Sequence, residues 1–369
     1  MSIYLDGVQK NNLALADNTG AHLTFQDSAS VNWWSVTQYI VLLAGVALVA
    51  ALLFKPKIGL LIMWNMLIPV APVLIVVAPG LWRNICPMAT FSLIPRQFGF
   101  SAKRIPSRRA GSLMMATGFV ALLAIVPLRH VSLNTDGAMT ALMLLIAALI
   151  AISAGSVFEW RSGWCNSLCP IHPVEKLYGF APASSLPNAR CTSCRKCTSP
   201  CPDSTRAMNS SITGPTRLEK VIGHLMIGGF AGFIWGWYRL PDYFGHAGMS
   251  KIGLAYFWSF AGAFTTLTVY VAARTWLRHS KSDLALLVKV FAAAAVSTYY
   301  WYRIPALVGF GPHPGTGLLY NLSHTVPDIS LVSHILTTSF FFWFLVIRDN
   351  PSISWLKRPS VEQSIQPQR

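Results

Sequence analysis

Charged residues are scarce in this chain. Asp, Glu, Lys and Arg make up only 11% of its 369 residues, against roughly 25% in a typical soluble domain. Only 13 residues are acidic, and no Ser-His-Asp arrangement, carboxylate pair or nucleotide-binding motif can be read. Hydrophobic residues make up 53% of the chain. The composition excludes an ordinary soluble domain and leaves few options for acid–base catalysis, so it indicates a membrane protein.

Apolar runs account for most of this hydrophobicity. Each run approaches the roughly 20 residues that a helix needs to cross a bilayer. Pro69 and Pro72 lie inside the second run, which predicts a kink there. The sequence predicts an all-α polytopic membrane protein with about eight transmembrane helices, at 37–54, 58–80, 111–128, 138–157, 221–238, 252–273, 285–306 and 327–347.

A secretory signal peptide is not expected. The first 36 residues are polar and lack a basic start followed by an apolar stretch and a small-residue cleavage site. Trp33 and Trp34 precede the first apolar run, where indole rings favour the headgroup layer. The first run is therefore predicted to be an anchor.

Basic residues are distributed unevenly between the loops. The formal charge is +16, and most Lys and Arg residues fall in the loops at 81–110, 158–219 and 274–284 and in the tails. By the positive-inside rule, these loops and both termini face the cytoplasm of an inner membrane. Nucleic-acid binding is disfavoured, because no basic stripe is interleaved with exposed aromatics. The opposite loops hold only Lys55, Lys57, Arg129, Arg239, Lys251 and Arg303.

Cysteine is missing from every predicted helix and from the outer loops. All seven cysteines fall in two loops assigned to the cytoplasm. Thiols in that compartment stay reduced, so structural disulfides are not expected, and clustered cysteines indicate metal binding or redox chemistry.

Four of the cysteines form one compact run, CTSCRKCTSPCP at 191–202. Their order is that of the C-x2-C-x2-C-x3-C-P run that holds a [4Fe–4S] cluster. Two-residue gaps let a tight loop wrap three thiolates around one face of a cubane. At the fourth cysteine, which proline follows, the chain runs in a different direction. A structural zinc site is the alternative, since C-x2-C pairs also bind zinc. The predicted ligands are Cys191, Cys194, Cys197 and Cys201.

Two further stretches echo each other, WRNICPMATF at 82–91 and WRSGWCNSLCPIHPV at 160–174. In each, a Trp-Arg pair leads to a cysteine followed by proline. The echo predicts an internal duplication in which a helical hairpin ends in a Cys-Pro turn. The alternative is two unrelated helix ends stopped by proline. Cys86, Cys165 and Cys169 are second-tier candidate ligands.

The count of thiols leaves the number of clusters open. Seven cysteines are one fewer than two complete four-cysteine cubanes require. One cluster with spare thiols is one interpretation. A second cluster completed by a non-cysteine ligand or with an open iron is the other. His172 is such a ligand in principle, although an ordinary loop histidine is the preferred interpretation.

These motifs resemble the polytopic membrane [4Fe–4S] ferredoxin-type proteins of the NapH, NosR and CcoG group. The resemblance covers roughly residues 58–205 and rests on WCNSLCP at 164–170 and on the run at 191–202. It implies membrane-bound iron–sulfur electron transfer. The sequence departs from the group in having Trp82 where a leading cysteine is expected, and one ferredoxin run where two are usual. Residues 221–369 carry no family signature.

The remaining features favour ordinary roles. Aromatic residues of the second half are assigned to the membrane interface, with a quinone pocket as an alternative that no residue specifies. His224 and His334 lie at different predicted depths, which disfavours a haem between them. Arg190, with the other basic residues around the cysteines, orients the loop, or else raises a cluster's potential or docks an acidic partner.

Together these observations predict an electron-transfer component rather than a stand-alone enzyme. It would relay single electrons between a cytoplasmic or quinol donor and a membrane or periplasmic redox partner. A ferredoxin, a flavodoxin and a membrane oxidoreductase are the candidate redox partners, with quinone a further one. The alternatives are a maturation factor for a respiratory metalloenzyme and a zinc-stabilised membrane scaffold.

The predicted domain organisation has five parts. Two four-helix membrane regions flank a small ferredoxin-like cytoplasmic loop, and a polar segment and a tail stand at the ends. The boundaries are a polar segment at 1–36, a membrane region with a Cys-Pro loop at 37–157, an iron–sulfur loop domain at 158–219, a second membrane region at 220–347 and a cytoplasmic tail at 348–369.

Overall fold

The chain folds into a bundle of long helices in a computed structural model. The structure describes residues 29–159, 161–190, 216–244, 246–277, 280–311, 318–349 and 353–357. The α-helices are α1 (Ala29–Phe54), α2 (Pro56–Leu60), α3 (Ile68–Val77), α4 (Pro79–Ile85), α5 (Pro87–Gln97), α6 (Arg108–Leu128), α7 (Gly137–Val157), α8 (His172–Tyr178), α9 (Arg217–Trp237), α10 (His246–Met249), α11 (Ile252–Trp276), α12 (Lys281–Val308) and α13 (Ser330–Phe342). π-Helical segments occupy Leu61–Leu67, Arg129–Leu133, Arg161–Leu168 and Trp343–Ile347.

Helix boundaries follow local sequence signals. Proline starts α2, α4 and α5, where its missing N–H and fixed φ cost nothing. The side chains of Ser107, Asp136, Thr216 and Ser280 accept a backbone N–H at the starts of α6, α7, α9 and α12. Gly309 ends α12 with a φ of 100°, a left-handed conformation that favours glycine.

Within the described ranges, seven helical stretches are long and apolar enough to cross a membrane. Seven of the eight predicted segments correspond to these stretches, which confirms the prediction of a mostly helical, multi-pass chain. The predicted segment 58–80 is not one smooth helix: a π-helical segment precedes α3, and the helix breaks at Ala78. The stretches are Trp33–Phe54, Pro56–Val77, Arg108–Leu133, Gly137–Val157, Ile252–Trp276, Ser282–Val308 and Ser330–Ile347.

The predicted segment 221–238 forms α9, which is a long helix but is not among the seven apolar ones. Glycines, tryptophans and His224 reduce its hydropathy, yet most of its residues are buried. Gly232 and Gly262 let α9 and α11 approach so closely that an added Cβ would lie about 2 Å from the facing carbonyl oxygen. The helix is therefore the centre of the bundle rather than a lipid-facing element.

Helix α9 runs beside α6 over its full length. At one end, Thr216 and Glu219 are 2.8 Å from the Ser112 hydroxyl near the start of α6. At the other end, the Trp237 ring stacks on His130 at 4.4 Å, just after α6. The two helices thus connect the same two ends of the bundle.

The end that carries Cys86, Cys165 and Cys169 is called here the cysteine end. At this end β1 (Leu186–Pro187) pairs in parallel with β2 (Leu356–Lys357). Trp355, the residue before β2, is buried against Gly80 and Gly179, and its Nε1 donates to the Gly179 carbonyl at 2.5 Å. The described part of the C-terminal tail is therefore docked on the bundle.

Candidate metal centre

The first Cys-Pro turn joins α4 to α5. Cys86 adopts φ −55° and ψ 119°, which ends α4, and Pro87 starts α5 in a new direction. The Cys86 side chain is half-buried and packs on Ala89 and Leu93, which Cys165 also contacts. The turn thus brings cysteines from both echo motifs to one apolar patch.

The second Cys-Pro turn follows the π-helical segment Arg161–Leu168, which contains Cys165. Single π-helical turns occur frequently at functional sites. Cys169 follows the segment, and both cysteines pack against Ala151, Ala154 and Trp164. Helix α6 lies directly on this turn, because a Cβ on Gly118 would be 2.6 Å from the Ser167 oxygen and 3.1 Å from the Cys169 oxygen.

The three thiols lie within electrostatic range of one another. Burial raises the pKa of Cys169 well above its ordinary value, and the neighbouring Glu175, Cys86 and Cys165 raise it further. Burial also raises the pKa of Cys86, which Arg190 partly offsets by favouring the thiolate. In the part of the chain that the structure describes, no three His, Cys, Asp or Glu side chains are grouped closely enough to hold a metal ion. These thiols are therefore not a complete metal site by themselves.

A buried polar network holds the two turns together. Glu175 on α8 accepts from Trp82 Nε1 at 2.8 Å and from Arg83 Nη2 at 2.5 Å. Burial alone would raise the pKa of Glu175, but the Arg83 guanidinium holds it below its usual value. The Trp-Arg pair of the first echo motif is thus bound by the carboxylate that follows the second.

His172 belongs to this network. It is almost fully buried, and burial lowers its pKa to about 4, so the ring is neutral near pH 7. Its Nδ1 is 3.0 Å from Arg83 Nη2 and therefore acts as an acceptor. The preferred interpretation of His172 as a loop histidine is wrong in its location, because the residue begins α8 and is buried there.

The chain that leads into the four-cysteine run is fixed to the first Cys-Pro turn. Asn84 Nδ2 donates to the Pro187 oxygen at 2.9 Å, and Ala189 N donates to Asn84 Oδ1 at 3.2 Å. Arg190, only 1% exposed, donates from Nη2 to the Cys86 carbonyl and to Thr90 Oγ1, each at 3.1 Å. The residue before Cys191 is thereby seated on the Cys86 turn.

The sequence-predicted site residues divide into two groups. Cys86, Cys165 and Cys169 come together at the cysteine end. The first-tier ligands Cys191, Cys194, Cys197 and Cys201, and with them the predicted ferredoxin-like loop, lie outside the described residues.

The two membrane histidines make ordinary contacts. His224 Nδ1 is 2.8 Å from the Tyr270 hydroxyl, and His334 Nε2 is 2.9 Å from the Trp301 oxygen. Each histidine thus has a hydrogen-bonding neighbour, as expected for a packing residue.

Sequence reasoning missed two residues of the site, Asn84 and Glu175. Asn84 lies inside the first echo motif, but nothing in the motif indicates that its amide holds a segment about a hundred residues away. Glu175 carried a signal, because it follows the second motif directly and is one of only 13 acidic residues. Because carboxylates are scarce in this basic chain, Glu175 could have been identified as a structural partner for a buried cation.

Comparisons with protein-family models, with curated proteins and with solved structures gave no match for this chain.

Proposed function

We propose that this protein is an integral membrane iron–sulfur protein that relays single electrons. The donor would be cytoplasmic or a quinol, and the acceptor a membrane or periplasmic redox protein. A ferredoxin-type kinship with the NapH, NosR and CcoG group is part of this proposal and rests on the cysteine motifs of residues 164–202.

The seating of Arg190 on Cys86 is the observation that carries the proposal. It places Arg190, the residue that precedes the run matching a [4Fe–4S] site, on the turn that carries Cys86. Cys165 packs on the same apolar patch as Cys86. Chain segments separated by about a hundred residues therefore converge on one region rich in thiols, as a metal-cluster site requires.

The surroundings of the thiols fit an iron–sulfur cluster. Thiolates are the ligands that iron–sulfur clusters use, and the patch supplies three thiols in a partly water-excluded setting. Burial raises the pKa of Cys86 and Cys169, so cluster binding would displace their protons. Buried arginines favour negative charge there, since Arg190 stabilises the Cys86 thiolate and Arg83 interacts with Cys165 and Cys169. When bound, the cluster would supply one-electron redox chemistry, and the chain would set its exposure and potential.

The membrane arrangement supports a relay between compartments. Helix α9 connects the same two ends of the bundle as α6, so we count it as an eighth crossing although its hydropathy is low. An even number of crossings brings both termini to one side. The positive-inside rule then assigns the cysteine end to the cytoplasm of an inner membrane.

Electron transfer from a soluble donor tests the function. Protein purified without oxygen is placed in detergent, reduced ferredoxin or flavodoxin is added, and cluster reduction is followed by EPR. We expect the reduced donor to reduce the cluster, with continuous turnover when an enzymatic reductant regenerates the donor and an artificial acceptor is present. Reduction by dithionite alone, with no transfer from either donor and none from a quinol, would contradict the relay.

Two charge variants provide a test of donor docking and its matched control. The proposal assigns the donor to the cysteine end, so neutralising the exposed Lys103, which lies in a loop at that end, should slow transfer more at low than at high ionic strength. Neutralising the exposed Lys57 at the other end should leave the rate unchanged.

A further inference from the structure

A buried polar cluster lies at the end of the bundle opposite the cysteines. Arg129 begins the π-helical segment after α6, Tyr238 follows α9, and Tyr299 and Arg303 lie on α12. Each is more than nine-tenths buried, with Arg129 only 5% and Arg303 only 4% exposed. These four residues are called here the arginine–tyrosine cluster. The proposed electron relay makes no use of them.

The four side chains lie near one another. Tyr299 and Arg303 are four residues apart on α12, which places them on one helix face. The rings of Tyr238 and Tyr299 have centroids 6.2 Å apart. Arg129 lies within electrostatic range of Arg303 and of both tyrosines. Three separate elements thus contribute to a single cluster.

Each member carries a buried polar atom that lacks a partner. The atoms are Arg129 Nη2, Arg303 Nε and the hydroxyls of Tyr238 and Tyr299, and none has a hydrogen bond in the described part of the chain. Another nitrogen of each arginine has a partner. Arg129 Nε donates to Asn134 Oδ1 at 3.1 Å, and Arg303 Nη2 donates to the Trp64 carbonyl and to Asn65 Oδ1. Buried donors without an acceptor are rare in native structures, and four in one place need an explanation.

The charge of the cluster is also unbalanced. Neither arginine forms an ion pair with any residue that the structure describes. The carboxylate within electrostatic range of Arg129 is Asp242, which is already hydrogen-bonded to His130 Nδ1 at 2.5 Å and to Asn134 Nδ2 at 2.6 Å. Arg129 Cζ lies 4.2 Å and 4.6 Å from the ring centroids of Trp64 and Trp237, so cation–π contacts offset part of its charge. Positive charge without an anionic partner inside a membrane bundle is still costly, and intramembrane ionisable residues usually mark functional sites.

We propose that the arginine–tyrosine cluster binds a phosphate group, carried by a free anion or by the headgroup of an anionic lipid. An anion supplies both the missing charge and the missing acceptors. The donors approach from three elements, and a tetrahedral phosphate offers oxygens in several directions, whereas a carboxylate offers two in one plane. Arginine is the side chain best suited to phosphate recognition. The site does not depend on the cysteine end.

Two binding measurements on the full-length, cluster-loaded protein test this site. The protein is delipidated in a phosphate-free maltoside detergent. In the first measurement, radiolabelled inorganic phosphate is titrated by equilibrium dialysis. In the second, phosphatidylglycerol is added in phosphate-free buffer, and its retention is measured by native mass spectrometry. The first detects a free anion, and the second detects a lipid headgroup.

Adjacent tyrosines on α12 provide the matched pair of variants. Tyr299→Phe removes one unpartnered hydroxyl and keeps the ring. Tyr300→Phe is the control, because the Tyr300 hydroxyl is already occupied, donating to the Pro69 oxygen at 2.6 Å. We expect the wild type to bind one of the two probes and Tyr299→Phe to bind it about tenfold more weakly, as for one lost hydrogen bond to a charged group. Tyr300→Phe should bind like the wild type.

Arg129→Gln removes one of the two charges and should abolish binding. If Arg129→Gln fails to fold, the comparison of Tyr299→Phe with Tyr300→Phe still tests the proposal. Failure of the wild type to bind either probe would overturn the proposal. Equal affinity of the wild type, Tyr299→Phe and Tyr300→Phe would overturn it as well.

Discussion

At the scale of single residues, Glu175 connects the two Cys-Pro turns. Its carboxylate accepts from Trp82 and Arg83, which lie more than 90 positions earlier in the chain. Both side chains of the Arg83–Glu175 ion pair are buried. Burying an ion pair costs desolvation free energy. Removing only one partner is nevertheless strongly destabilising, because the other charge is then left buried and unpaired.

Glu175→Gln should therefore destabilise the protein by about 3–5 kcal/mol, the range found when a buried pair loses one partner. A denaturant titration in mixed micelles measures this free energy of unfolding. The double variant Arg83→Met with Glu175→Gln removes both charges and should be less destabilised than Glu175→Gln alone. Strictly additive losses in the double variant would contradict the buried-charge explanation.

Single residues were only partly predictable from the sequence. Cys86, Cys165 and Cys169 stand out because cysteine is rare and is followed by proline in two similar contexts. Asn84 and Glu175 do not stand out, since their partners lie far away in sequence and no local periodicity encodes such contacts. The arginine–tyrosine cluster was also missed, because Arg129 and Arg303 were assigned to loop charges rather than to buried positions.

At the scale of helices and strands, close packing of α6 on the second Cys-Pro turn fixes the position of Cys169. Gly118 permits this contact, because any side chain there would meet the Ser167 and Cys169 carbonyls. Gly111 lies on the same helix and has open space around its Cα. The two glycines thus form a matched pair for substitution.

Gly118→Ala should cost about 1–3 kcal/mol, as overpacking usually does, and should reduce the iron bound per chain by displacing the turn. Gly111→Ala should be neutral or stabilising by about 0.5–1 kcal/mol, because alanine favours helix. Unfolding titrations and iron assays on both variants check this. Similar behaviour of the two variants would show that α6 does not support the turn.

The docked C-terminal strand supports a second prediction at this scale. Trp355→Ala should cost about 3–5 kcal/mol, as expected for a buried aromatic side chain, and should expose the chain around β1 to protease. Lys357→Ala, on the same strand but exposed, should change neither quantity. Limited proteolysis with mass-spectrometric mapping provides the measurement. Unchanged cleavage in Trp355→Ala would show that β2 does not hold β1 in place.

Elements were predicted better than residues. Long apolar runs locate the helices because lipid-facing helices must be apolar along their length. The π-helical segments and β1–β2 were not predicted, since a single extra residue per turn and a two-residue strand leave no period in the sequence. Helix α9 was located correctly, although burial inside the bundle, rather than contact with lipid, explains its composition.

At the scale of the whole molecule, the number of crossings determines which side each end faces. We predict that α9 crosses the membrane, so a reporter fused after Met249 lies outside and one fused after Ser280 lies inside. Alkaline phosphatase is active only outside the cytoplasm and reports the first position. Fluorescence of a cytoplasmic reporter tests the second. The reverse pattern would show that α9 does not cross and that the two halves have opposite orientations.

The central claim is that the cysteine motifs hold iron. The most direct test is the content of iron, acid-labile sulfide and zinc per chain in protein purified without oxygen, with EPR of the dithionite-reduced sample. We predict about four irons and four sulfides for one cubane on Cys191, Cys194, Cys197 and Cys201, or seven to eight irons if Cys86, Cys165 and Cys169 hold a second cluster. Stoichiometric zinc without iron would contradict the account and leave a structural metal loop on a membrane scaffold.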